Sequence, residues 1–349
     1  MPQIHALRSM AAGFGTTRCR TILQAVKPMK AIVMHTFGGP EVLAVDDVAP
    51  GRPGAGQVLV HVMAAGVNFM DTGIRRGLGQ ANSLPLTPGV EGAGVVVAIG
   101  PEVTELSPGD RVAWHYVPGS YAERVIAPVA QLVPLPDDIS FETAAGLMMQ
   151  GLTASNLVFQ VHGIQKGDWA FVHAAAGGVG LMLTQMIKLL GGKVIGRVSH
   201  EDKVDAVLAA GADYVVIGRA GAVARHVERL VGAQSMKVVY DGTGAEGFDE
   251  SIRLLDYFGT LALYGPFMDP IAPVDIFSLP RSIKLTYPSV MHHVRTREAL
   301  LAYSQQLFTW VRTGRLRVQI GRRYSLAQVG QAHRDLESRR TAGKLVILP

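Results

Sequence analysis

The sequence predicts an α/β protein built from an antiparallel, barrel-like β domain and a doubly wound parallel sheet. Three observations carry that prediction. Short apolar runs bounded by Gly/Pro turns fill residues 29–150, too closely spaced for repeated βα crossovers. From Ser140 onward Ala, Leu and Met content rises, and helical, strand and turn patterns alternate to about Ser289. Between the two textures lies KGDWAFVHAAAGGVGLMLTQMIKLLGG, residues 166–192. It reads as a buried strand (169–173), a small-residue turn (174–178) and a helix (179–190).

Taken in order, the first strands fall at 30–35, 43–48 and 57–65, with Pro50-Gly51-Arg52-Pro53-Gly54 looping between the last two. A Gly/Val run at 90–99 follows, and the turn Pro108-Gly109-Asp110-Arg111-Val112 leads into another strand. Segments 121–126 and 131–134 continue the pattern. Ser140, with a polar residue three positions on, predicts a helix N-cap. Beyond the 166–192 unit come a strand at 193–195, a helix (201–210), a strand (214–217) and a helix (222–231). A strand (238–240), a helix (248–255) and a strand (260–263) complete the second part. The tail holds an amphipathic helix (297–313), a strand (319–325), a helix (326–337) and a closing strand (345–348). The first of these helices and the closing strand are expected to return to the β domain. The predicted boundaries are 1–28 for an extension, 29–151 with 291–349 for the β domain, and 152–290 for the parallel sheet.

At 349 residues and 48% hydrophobic content the chain can bury two cores. No apolar run reaches the eighteen or so residues needed to span a bilayer, so a soluble protein is expected. The net charge of +5 is misleading until it is located. Residues 1–29 hold Arg8, Arg18, Arg20 and Lys27 and no acid, which leaves the rest nearly neutral. That removes the electrostatic footprint of a nucleic-acid binder. The extension reads as an upstream start or a disordered arm in preference to a targeting peptide. The single cysteine, Cys19, lies inside it, so the body has no disulfide and no thiolate metal ligand.

The turn of the 166–192 unit carries Ala175-x-Gly177-x-x-Gly180, a dinucleotide-binding fingerprint whose first glycine is alanine. Small residues allow a tight turn, close approach of a pyrophosphate and close packing of helix on strand. The helix N-terminus adds free N–H groups and a positive dipole end. The second strand of this unit ends Val194-Ile195-Gly196-Arg197-Val198-Ser199-His200, without the acid that holds the ribose 2′-hydroxyl of NAD. Lys203 follows Ser199 by one helical turn. A hydroxyl, a cation and a helix start suit a 2′-phosphate, so NADPH is the expected cofactor.

Several stretches, taken jointly and in order, resemble the medium-chain dehydrogenase/reductase superfamily, and within it the zinc-free quinone oxidoreductase (zeta-crystallin-like) branch. They are Gly66-Val67-Asn68-Phe69-Met70-Asp71, Pro88-Gly89-Val90-Glu91-Gly92-Ala93-Gly94 and Pro108-Gly109-Asp110-Arg111-Val112. Further on come Gln150-Gly151-Leu152-Thr153-Ala154, His173-Ala174-Ala175-Ala176-Gly177-Gly178-Val179-Gly180 and Tyr240-Asp241-Gly242. The resemblance covers residues 29–349. It implies a GroES-like β domain, a Rossmann domain and hydride transfer from a nicotinamide held between them. Zinc-dependent relatives carry Cys and His where this chain has Asn68 and Val90, and their four-cysteine lobe is missing. Eleven scattered histidines supply no zinc spacing, and His292-His293 reads as surface or tail packing. No metal is expected.

By position, the resemblance assigns the cofactor to Asn68, Thr153, Ala176, Gly177, Gly178, Val179, Ser199, Lys203, Asp241, Tyr264 and Gly265, with Lys344 a weaker candidate. Arg219 is expected to cover the adenine where relatives carry a tyrosine, because this chain has Ile217-Gly218-Arg219. Two family aromatics near the substrate are Gly73 and Gly79 here. The cleft is therefore expected to be wider, or to be filled by Trp114, Tyr116, Phe267 or Met268. Tyr287 stands where the family pattern has arginine. Asn68 and Tyr116 are the candidate hydrogen-bond donors to substrate.

The expected reaction is hydride transfer from NADPH to a quinone, whose oxygens solvent can protonate. The alternatives are a 2-enoyl or substituted-acrylate reductase and a non-catalytic, crystallin-like NADPH-binding protein. The resemblance also implies a cytoplasmic homodimer joined at Rossmann sheet edges around 260–264 and 283–287, with no nucleic-acid or membrane partner.

Overall fold

The structure is a computed structural model that describes residues 28–78, 83–265 and 271–349. The extension with Cys19, and Gly79, Phe267 and Met268, lie outside the described residues.

The β domain opens with β1 (Met29–Val33), β2 (Ala44–Val48) and the long β3 (Gln57–Val67), which leads straight into a short helix, α1 (Phe69–Arg75). β4 (Glu91–Ile99), β5 (Arg111–Trp114), β6 (Arg124–Pro128) and β7 (Leu132–Pro134) follow. Helix α2 (Phe141–Asn156) starts at Ser140, whose Oγ accepts from the Thr143 amide at 3.1 Å. Next come β8 (Trp169–Val172), α3 (Gly178–Leu189), β9 (Lys193–Val198), α4 (Val204–Ala209) and β10 (Tyr214–Ile217). After these lie α5 (Ala224–Val231), β11 (Met236–Asp241), α6 (Phe248–Leu254), β12 (Leu255–Leu263) and β13 (Lys284–Thr286). The chain ends with α7 (Val290–His293), α8 (Arg297–Arg312), β14 (Ile320–Ser325), α9 (Val329–Glu337) and β15 (Lys344–Leu348).

Two main sheets result. β10-β9-β8-β11-β12-β13 is wholly parallel, with the order reversing between β8 and β11 as a doubly wound sheet requires. The other sheet runs β14-β15-β3-β4-β5-β7, with β6 also paired to β3 and every pair antiparallel except β14–β15. The closing strand thus lies beside β3 in the β domain. Helix α2 is the shared wall. Its Leu147, Met148 and Leu152 sit in one continuous core with Ala64 and Ala93 of the β domain and Leu181, Met182 and Met186 of α3. A helix apolar on nearly all sides belongs between two layers, and twelve of its sixteen residues are buried.

Two sequence expectations change here. Residues 260–263 do not form a sheet edge: β12 lies between β11 and β13, leaving β13 as the edge. Alternating apolar pattern reports burial, and it cannot show that a further three-residue strand pairs outside. Trp114 does not fill a cleft. It is fully buried in the β-domain core, its Nε1 donating to Ser120 Oγ at 2.9 Å.

Candidate active site

The two sheets meet at a cleft of about 340 Å³, walled by the 67–70 segment and Tyr116 on one side and the start of α3 on the other. The fingerprint turn forms its floor. Ala174 adopts φ +48, and Gly177 donates its amide to the Ala174 carbonyl at 2.9 Å, so α3 begins with no side-chain cap. Its first-turn N–H groups are therefore left for a ligand. A Cβ on Gly180 would lie 2.5 Å from the Ala174 carbonyl oxygen, which reserves that position for glycine. Ala175 is tolerated in place of the usual first glycine because its neighbour on β9 is small. A Cβ added to Gly196 would lie 2.9 Å from the Ala175 Cβ.

The tail clamps this turn. Gly343 donates to the Ala176 carbonyl at 2.8 Å and forms a bridge with Gly177. That contact places Lys344 in the cleft wall, and the residue is only 3% exposed. Its Nζ donates to Glu91 Oε2 at 2.7 Å and to Asn68 Oδ1 at 2.9 Å. Gln150 Nε2 also donates to Asn68 Oδ1, at 2.8 Å, while Asn68 Nδ2 donates to Glu91 Oε2 at 3.0 Å. Glu91 Oε1 accepts from the Met149 amide at 2.7 Å. Asn68, expected to donate to a ligand, is thus the hub of a buried network that locks the cleft's β-domain wall to α2 and β15. Burial holds the Lys344 ammonium below its ordinary range, with Glu91 opposing that drift. Beneath Asn68, Asp71 accepts from Tyr121 Oη at 2.7 Å and from the Asn68 amide at 2.8 Å. Burial still pushes the Asp71 carboxyl up to about 6.

The cleft gathers nine of the expected residues: Asn68, Tyr116, Thr153, Gly177, Gly178, Val179, Tyr264, Gly265 and Lys344. The Thr153 and Tyr116 hydroxyls form no hydrogen bond among the described residues. The Tyr116 phenol is held above its ordinary range, first by burial and then by Tyr287 and Asp71, and so keeps its proton. Ala176 lies beneath the turn, 3% exposed. Gly73 is buried within α1 and is not part of the cleft wall, which one turn earlier is made by Phe69 and Met70. Ser199 and Lys203 stand together just past the end of β9, with Lys203 Nζ 3.5 Å from Ser199 Oγ and bonded to the Arg339 carbonyl.

Two expected residues take other roles. The Asp241 carboxylate is fully buried and accepts from Thr243, Gly244 and Ser251, which shapes the loop whose Gly242 lines the cleft. The Arg219 side chain is 89% exposed and pairs with Glu246 at 3.5 Å. Glu91, Gln150, Arg197 and Arg339 were not singled out by sequence. Glu91, Gln150 and Arg197 lay inside quoted stretches, but the contacts they make join residues from separate elements, which leaves no local signal. His293 packs inside the tail, against Ser155 at 3.1 Å and stacked on Tyr303, while His292 is exposed. Among the described residues no three His, Cys, Asp or Glu side chains gather as a metal site would require.

Comparison with known proteins gives the same architecture. Residues 54–137 match the alcohol dehydrogenase GroES-like domain, and residues 210–347 match the zinc-binding dehydrogenase model. A quinone oxidoreductase of Pseudomonas aeruginosa is 39% identical over 323 residues, covering 92% of this chain and 99% of that protein. A 2-haloacrylate reductase of a Burkholderia species is 33% identical over 328 residues, covering 91% and 98%. The crystal structure of Escherichia coli quinone oxidoreductase complexed with NADPH is 34% identical, with a TM-score of 0.88 over 92% of this chain and 100% of that one. The chain belongs to the zinc-free quinone oxidoreductase branch of the medium-chain dehydrogenase/reductase superfamily.

Proposed function

We propose that this protein is an NADPH:quinone oxidoreductase. The observation that carries the reading is the pairing of an uncapped, glycine-lined helix start with Ser199 and Lys203, 3.5 Å apart, where an NAD reader would place an acid. When bound, NADPH supplies the hydride. Gly177, Gly178 and Val179 would hold its pyrophosphate, and Ser199 and Lys203 its 2′-phosphate. Thr153, Tyr264 and Gly265 would line the nicotinamide. The buried Lys344–Glu91–Asn68–Gln150 network keeps the wall in one geometry, so the acceptor is positioned without reorganisation. The half-buried Tyr116 offers a neutral phenol to the acceptor's oxygen, and solvent protonates the hydroquinone.

That same phenol favours a second reading, reduction of an activated alkene, which needs a proton donor beside the acceptor carbon. The likeness to a 2-haloacrylate reductase adds to it. NADPH oxidation with 1,2-naphthoquinone, a crotonyl ester and 2-chloroacrylate separates the readings. Turnover of the quinone alone supports the first, and turnover of the acrylate alone overturns it. Binding of NADPH with no turnover of any acceptor would leave a crystallin-like protein.

The same proposal includes a cytoplasmic homodimer and the domain limits given above. The edge strand β13 and the exposed Tyr257, Phe258 and Phe277 nearby support association through the parallel sheet. Light scattering that gives a monomer mass would sink the dimer.

A further inference from the structure

On β9, Val194 and Val198 pack into the core shared with the β domain, while Ile195 faces the core beneath α5 and α6. Alternation puts Arg197 on the Ile195 face, where an apolar residue is the rule. It is only 6% exposed. Its Nη1 donates to the Gly218 carbonyl at 3.0 Å, and its Nε is buried with no hydrogen-bond partner among the described residues. A guanidinium left short of an acceptor in a dry site is unfavourable unless a ligand supplies one.

The acids around it are committed elsewhere. Asp241 is taken by Thr243, Gly244 and Ser251; Glu250 accepts from the amides of Gly221, Val223 and Ala224; Glu246 is shared between Arg219 and Arg339. None forms an ion pair with Arg197 among the described residues. Other cations do approach. Burial, and then the charges of Arg197 and Arg339, hold the Lys203 ammonium down against Asp202. Arg339 shares Glu246, but Arg197 and Lys203 form no ion pair with a carboxylate among the described residues, and two such cations within four residues of Ser199 describe an anion site.

We propose that Arg197 is a binding residue for the 2′-phosphate of the cofactor's adenosine, its Nε–H donating to a phosphate oxygen from beneath while Lys203 and Ser199 close on it from the side. The inference rests on the NADPH reading and deepens it.

Calorimetry with 2′,5′-ADP and 5′-AMP tests it on the full chain without any turnover. Wild type binds 2′,5′-ADP the more tightly. Arg197→Met is expected to weaken 2′,5′-ADP about tenfold to a hundredfold and 5′-AMP less than about threefold, the range of a lost charge-assisted hydrogen bond. Arg197→Lys, which keeps the charge, retains most of the preference and serves if the Met variant fails to fold. Equal weakening of both nucleotides in either folded variant, or an unchanged preference in folded Arg197→Met, overturns the proposal while leaving the NADPH reading intact. If wild type shows no preference for 2′,5′-ADP, both fall.

Discussion

Lys344 Nζ and Glu91 Oε2 meet at 2.7 Å in a site where the two side chains are 3% and 0% exposed. The pair ties the last strand to the first residue of β4, across more than two hundred residues of sequence. Coulomb attraction in such a place only offsets the cost of drying both charges. Removing one partner is another matter. Lys344→Met leaves the buried Glu91 without its cationic partner, and is expected to cost about 3–5 kcal/mol. Lys188 and Asp213, paired at 2.9 Å but about one-third exposed, provide the contrast, and Lys188→Met should cost less than about 1 kcal/mol. Urea unfolding of both variants decides; equal losses would show the Glu91 site to be wet.

Asp71 gives the wall a pH dependence. Its carboxyl titrates at about 6 when folded against 3.8 as a free side chain, with burial the main cause. The folded state therefore holds the extra proton between about pH 4 and 6. Stability from this group is full below that window and is lost as pH rises through 6, amounting to roughly 3 kcal/mol for a two-unit shift. Asp71→Asn keeps an acceptor for Tyr121 and cannot ionise. Its unfolding midpoint should fall less than that of wild type between pH 4.5 and 7.5, and parallel curves would refute the assignment.

Lys203 separates the two nicotinamide cofactors. Its Nζ sits between Ser199 Oγ and the Arg339 carbonyl and forms no ion pair with a carboxylate among the described residues. Lys203→Ala is expected to raise the Kd for NADPH about tenfold or more and to leave NADH within about threefold. Fluorescence titration reads both. Loss of affinity for both alike would make Lys203 a structural residue.

The elements that sequence located well are those whose local pattern coincides with their burial. The 166–192 unit is the clearest, because its strand, turn and helix each carry an independent signal. Asn68 and Lys344 were each found by position, but the contacts that join Asn68 to Lys344 and Gln150 were not, since those partners lie 276 and 82 residues away. Hydrogen-bond networks assembled from distant strands leave no periodicity to read. Arg197 shows the same limit in another form. A lone arginine in an apolar strand looks like a break in the pattern, and only the packing of α5 and α6 shows that it is buried. Arg219 has the opposite burial: two residues after the end of β10, it is exposed and pairs with Glu246.

The alanine in the fingerprint makes the last prediction. Ala175 replaces the glycine that usually permits the tight turn, and the structure accommodates its methyl against Gly196 on β9. A Cβ at 196 would sit 2.9 Å from the Ala175 Cβ and 2.6 Å from Val207 Cγ1. The first contact is between rigid groups, whereas Val207 can rotate. Gly196→Ala should therefore destabilise the fold by about 1–3 kcal/mol, the range of overpacked cores. Adding Ala175→Gly removes the rigid clash and should restore a large part of that loss. A double-mutant cycle on thermal unfolding reads the coupling, which should exceed about 0.5 kcal/mol for two residues in contact. Additive losses would mean that the turn and β9 accommodate each other through backbone movement, and that the alanine is tolerated for some reason other than the glycine beside it.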